Sequence, residues 1–202
     1  MPTHSNDLIM KPTPEERVAF HVDYPQDTEF SAYARLLQSR WRESQGYPMR
    51  KLGSFLDASF AKSSGANFLT QRIRTLAENE MATAKASKAL FDEGRMWENL
   101  LSSQPLCFNL FGELHYDMEA ATPCFKRLFP DRIGRVTAIK FEYSPGRGDA
   151  QYTGDKSAFD VFVEYERDGR SGFIGIEVKY AESLREEQPK RSAEIFAKHK
   201  AR

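Results

Sequence analysis

Asp168-Gly169 stands between two runs rich in β-branched and aromatic residues, 159–165 and 173–179. Asp-Gly in that setting is among the strongest short-range signals for a β-hairpin, because a type I′ turn needs positive φ at both central residues. Taking these two as the turn centre fixes the register. Phe159 then faces Val178, Val161 faces Ile176, Val163 faces Ile174 and Tyr165 faces Gly172, so one face is apolar throughout. A slip by one residue would turn that whole set to the other side, so the pattern supports its own alignment. The second face pairs Asp160 with Glu177 and Ala158 with Lys179.

That second face has a chemical consequence. Cβ atoms directly opposite on antiparallel strands lie about 4.5–5.5 Å apart, and like charges so placed destabilise each other. Lys179, two residues past Glu177, projects from the same side. Two carboxylates and an ammonium meet where packing does not ask for polarity. A divalent cation relieves the repulsion, and Mg²⁺ in particular is commonly held by one or two carboxylates together with water and substrate phosphate. Such an ion activates water and stabilises charge on a phosphoryl group. The expectation is a phosphodiesterase whose metal ligands are Asp160 and Glu177, with Lys179 beside them.

Upstream of the hairpin the pattern is helical. Phe30, Tyr33, Leu36, Leu37 and Trp41 recur at three- and four-residue spacing over 29–44, and Gly46-Tyr47-Pro48 ends the run. Further helices are expected over about 52–62, 67–92 and 95–102, and another from Pro105 that buries Leu106, Phe108, Leu110, Phe111 and Leu114. Residues 136–143 read as a strand, 146–157 as a loop, and 190–202 as a short helix. Residues 1–30, with Pro2, Pro12, Pro14 and Pro25 among charges, read as a flexible N-terminal arm. The fold class is α+β or mixed α/β, with a helical part (31–130), a β-meander (135–180) and a helical tail (181–202) in one domain.

Five stretches together resemble the PD-(D/E)xK nuclease superfamily, and more narrowly a group of mostly uncharacterised bacterial proteins within it. They are residues 36–43 (LLQSRWRE), 65–70 (GANFLT), 102–112 (SSQPLCFNLFG), 153–160 (TGDKSAFD) and 176–180 (IEVKY). The resemblance implies a restriction-endonuclease-like αβββαβ core, dependence on Mg²⁺ (with Mn²⁺ as a substitute) and hydrolysis of DNA. It implies that Asp160, Glu177 and the backbone carbonyl of Val178 ligate the metal, and that Lys179 positions or activates water. A Glu from the first core helix often joins such sites; Glu98 and Glu113 are both candidates. The chain departs from the pattern in having Phe159 rather than Pro before Asp160. It also has only 23 residues after Lys179, short for the closing helix and strand, so the core either closes compactly or is truncated. The alternative to an active nuclease is a module that keeps the fold, has lost catalysis and binds nucleic acid or a protein partner.

The remaining candidates are weaker. Asp155 reads as a turn residue and Glu142 as a secondary acid on the first strand. Asn109 is expected to make a structural hydrogen bond to a nearby loop, and Asn67 to cap the helix after it. His4, His21, His115 and His199 lack metal-ligand spacing and read as surface residues. Cys107 packs as an apolar side chain, and two cysteines in all exclude a disulfide scaffold. Lys and Arg (29) balance Asp and Glu (29), so affinity for a polyanion must come from local clusters: Arg72, Arg74, Lys85 and Lys88, or the basic stretch 185–202. No run nears 18 apolar residues and the N-terminus has no basic-then-apolar signal, which reads as a cytoplasmic protein.

Overall fold

The computed structural model describes residues 11–86, 92–146, 149, 151 and 157–182. Among the described residues the chain forms α1 (Pro14–Ala19), α2 (Glu29–Ser44), α3 (Ala58–Ser64), α4 (Gln71–Ala86), α5 (Glu93–Trp97), α6 (Ser103–Tyr116) and α7 (Met118–Leu128). The strands β1 (Arg135–Tyr143), β2 (Phe159–Arg167) and β3 (Arg170–Ile176) follow. They make one antiparallel sheet in the order β1-β2-β3. The expected α+β organisation, helices first and a meander after, is what the chain adopts. The tail 190–202, and with it any closing helix or strand, lies outside the described residues.

Local chemistry sets the boundaries. Asp168 and Gly169 have φ of 50° and 72°, the left-handed pair a type I′ turn demands. The ladder then runs in the anticipated register, Val161 with Ile176, Val163 with Ile174 and Tyr165 with Gly172. Polar side chains cap the helices: Thr28 accepts from Ser31 N, Asp57 from Phe60 N and Asp117 from Ala120 N. Asp57 explains why the helix expected over 52–62 starts only at Ala58. Glu98 caps the end of α5, so the expected 95–102 helix is one turn beginning at Glu93. The Ser102 hydroxyl starts α6 before Pro105, which falls in the first turn, where a missing N–H costs nothing.

Helix α6 is the centre of the packing. Its Cys107 and Phe108 are fully buried, and Phe108 stacks on Phe141 of β1 with centroids 4.5 Å apart. Gly112 lets α4 approach: a Cβ there would meet the Ile73 side chain at 3.0 Å. The sheet contributes Val136, Ile139, Phe141, Val161 and Val163 to the same core. Leu110, expected inside, points outward and is 54% exposed; α6 buries one side only, and position 110 falls on the other. The N-terminal segment is also a correction where it is described. Thr13 and Glu16 form a capping box for α1, Val22 is buried, and Gly53 N donates to the His21 carbonyl at 2.8 Å. Residues 11–30 are thus tied to α2 and the turn after it rather than hanging as an arm.

Candidate active site

The strand β3 stops at Ile176, one residue short of the predicted Asp160–Glu177 pair. Instead of extending the ladder, Val178 N donates to Asp160 Oδ2 at 2.6 Å. A side-chain carboxylate thereby receives a backbone donor at the end of the strand. Val178 itself is buried in the core, only 6% exposed, which anchors the short segment carrying Glu177 and Lys179. The predicted pair of Phe159 with Val178 does not form. The Phe159 ring has turned to the opposite face, over Gly175, where an added Cβ would collide with it, and lies 5.9 Å from Phe162. Glycine at 175 leaves the space that the ring fills. Ala158 and Lys179 are likewise unpaired in the ladder, because β3 has already ended.

The three predicted groups still form one charge-coupled set. Lys179 Nζ donates to Glu177 Oε1, and both side chains are about half exposed. Asp160 is half-buried. Burial pushes its carboxyl above the usual range; the Val178 N–H bond pulls it back, and the neighbouring Glu177 charge raises it again. Lys179 is also raised, first by its bond to Glu177, with the Asp160 and Glu182 charges adding to the effect. A lysine so placed is protonated at neutral pH.

Glu182 is the residue that sequence reasoning missed. Burial works against its charge, but the Ser103 hydroxyl and backbone N–H groups outweigh it, leaving its carboxyl below the usual range. Ser103 Oγ donates to Glu182 Oε1 at 2.6 Å, Tyr180 N donates to Oε2 at 2.8 Å, and Arg95 lies 3.3 Å away. Its partners on α5 and at the start of α6 are 87 and 79 residues distant in sequence, so no local pattern could have marked it. Ser31 holds the Ala181 carbonyl at 3.0 Å and Gln38 holds the Tyr180 hydroxyl at 2.8 Å. The segment after Lys179 is therefore moored to α2 and α6.

In the β1–β2 register Glu142 comes opposite Asp160, flanked by the pairs Phe141–Val161 and Tyr143–Phe159. Its φ of 47° is unusual for a non-glycine residue. Both carboxylates, after burial, help to push the Cys107 thiol well up. Glu98 pairs with Arg50 at 2.6 Å, while Glu113 binds Thr70 and Arg72, so each is engaged by partners of its own. Asn109 behaves as expected, accepting from Leu69 N and donating to the Asn67 carbonyl. Asn67 does not cap: it is buried and donates to the Met96 carbonyl, and Thr70 caps α4 instead. His115 is half-buried, with Nδ1 2.7 Å from the Ile139 carbonyl, because the last turn of α6 lies against β1. Arg72 and Arg74 are taken up by Glu113 and Glu78. Asp155, Lys88, His4, His199 and 185–202 lie outside the described residues.

The donor set suits a hard divalent cation. Asp160, Glu177 and the Val178 carbonyl are all oxygen donors, and among the described residues no group of three or more His, Cys, Asp or Glu is placed to hold a metal ion. Among the described residues no helix is long and apolar enough to cross a membrane. A family model, that of the PD-(D/E)XK nuclease superfamily, matches residues 25–201. No curated protein and no solved structure matches the chain.

Proposed function

The chain belongs to the PD-(D/E)XK nuclease superfamily, and on that premise we propose that it is a metal-dependent nuclease hydrolysing DNA phosphodiester bonds, with Mg²⁺ as its ion. Members of the superfamily generally use divalent metals, and the donor set described above fits one. The observation that carries the reading is the Val178 N–H bond to Asp160, which gathers Asp160, Glu177 and Lys179 around one strand end. Asp160 and Glu177 would hold the ion, with the Val178 carbonyl as a further donor. When bound, such an ion polarises a phosphoryl oxygen and lowers the pKa of water. Asp160 is oriented by the buried Val178, which limits its freedom to swing away. Lys179, kept charged by Glu177, would orient the attacking water and offset negative charge building on the phosphate.

The test is cleavage of plasmid and linear DNA with Mg²⁺ or Mn²⁺, by the wild type and by Asp160→Ala and Lys179→Ala. Loss of cleavage in both variants is expected; cleavage untouched by either rejects these roles. A second reading, a catalytically inactive module that binds nucleic acid or a protein partner, draws on two features. One Asp160 oxygen is already occupied by a backbone donor, and no cluster of three potential ligands is found among the described residues. Salt-dependent retention of DNA without cleavage under either ion favours it.

A further inference from the structure

A groove of about 940 Å³ opens beside the strand end that carries Asp160, Glu177 and Lys179, and Tyr180, the residue after Lys179, forms part of its wall. Its size lies near the top of the range for small-molecule sites. None of the side chains lining it is charged. Trp41, Tyr47, Leu69 and Leu110 are among the residues that line it. Trp41 is 39% exposed and Leu110 54%. An edge-on contact with Tyr47, centroids 5.8 Å apart, fixes the indole without covering it. Gln38 Nε2 donates to the Tyr180 hydroxyl at 2.8 Å and so holds that ring in the groove wall.

Resting on the nuclease reading above, we propose that this groove receives an unpaired nucleobase from the strand whose phosphate lies at Asp160, Glu177 and Lys179. The division of chemistry along the surface supports this. A nucleotide is an anionic phosphate joined to a flat, uncharged, π-rich base. The surface offers cationic and metal-binding groups at one point and an uncharged aromatic trough next to it. Bases paired in a duplex are stacked inside the helix and cannot enter a side groove, so the occupant is single-stranded, frayed or flipped. Stacking on aromatic side chains is tolerant of base identity, because every base presents a π-face. The substrate class is thus nucleic acid with unpaired nucleotides at the scissile position, rather than intact duplex.

Tryptophan fluorescence reads the groove directly. Of the two tryptophans, Trp97 is buried against Phe68, so a change on binding reports Trp41. In chelator, where cleavage is blocked, a short oligothymidylate should quench the emission saturably, and the same oligonucleotide paired with its complement much less. Trp41→Ala should weaken single-strand binding about 5- to 150-fold, the range for one lost base–aromatic stack. Leu110→Glu changes an exposed position and should weaken it without disturbing the fold. With Mg²⁺, single-stranded or forked DNA should be cut in preference to blunt duplex. Equal binding of both forms, or single-strand binding unchanged by Leu110→Glu, overturns the proposal. Self-association that Leu110→Glu abolishes while oligonucleotide binding persists also overturns it, making the groove a protein interface. Duplex cleavage without single-strand preference sinks the groove proposal and leaves the nuclease reading intact. Single-strand binding sensitive to Trp41 without any cleavage does the reverse.

Discussion

Asp160→Asn separates the two jobs of this carboxylate. Burial raises the Asp160 pKa, and the sign follows from linkage: a group whose folded pKa lies above its unfolded value favours folding below that value and costs stability as pH rises through the folded pKa. At neutral pH the ionised side chain is thus a net burden in the absence of metal. Asparagine removes the charge, and its carbonyl can still accept from Val178 N. Because the group is only half-buried, solvent screening keeps the gain small, and Tm rises only slightly. With Mg²⁺ the order reverses. An ion at a hundred times its Kd stabilises the wild type by about 2.7 kcal/mol, or roughly 5–11 °C, and Asp160→Asn should lose most of that shift. Thermal unfolding by circular dichroism, in chelator and then in Mg²⁺, measures both. The gain in chelator should itself fade as pH drops toward the ordinary carboxylate range, where the wild-type side chain also becomes neutral. A variant that melts lower in chelator refutes the burial argument. A variant with the full wild-type Mg²⁺ shift removes Asp160 from the metal site.

Two stability predictions test the frame around the site. Asp27 and Arg35 form a buried bidentate pair, 2.6 and 2.9 Å, with Ser54 on the third guanidinium nitrogen. Asp27→Ala leaves a buried cation without its counter-charge and should cost about 3–5 kcal/mol in urea unfolding; a loss under about 1 kcal/mol would mean that the pair is solvated. Gly53 has no room for a side chain, since a Cβ would run into the Phe20 carbonyl oxygen and Ser39. Gly53→Ala should cost about 1–3 kcal/mol and speed proteolytic cutting within residues 11–25, and an unchanged digestion pattern would show that this contact does not hold the N-terminal segment.

The hairpin was legible because its determinants are local. Asp168-Gly169 select a turn with positive φ at both positions, and the alternation of Val161, Val163, Ile174 and Ile176 allows one register. Helices α2 to α6 were legible for the same reason, whereas α1 and α7 were not anticipated, and helix ends were misplaced where a cap such as Asp57 or Ser102 outweighed the apolar period. Leu110 was misassigned because apolar residues occur all around this helix, so its pattern does not announce which side faces the core.

The sequence by itself determined the hairpin whose strands carry Asp160 and lead on to Glu177 and Lys179, since pleat and turn geometry depend only on neighbours along two strands. The tertiary structure alone decided how the ends of those strands are arranged. Phe159 left its predicted face because Gly175 offered space on the other, β3 ended early, and Val178 N–H went to a carboxylate rather than a ladder carbonyl. Glu182 joined the group through Ser103 and Arg95, and α2, α3 and α6 formed a groove beside Tyr180. These outcomes depend on which surfaces pack together across scores of residues, and on which polar groups burial obliges to find partners. Such contacts exist only once the core has closed.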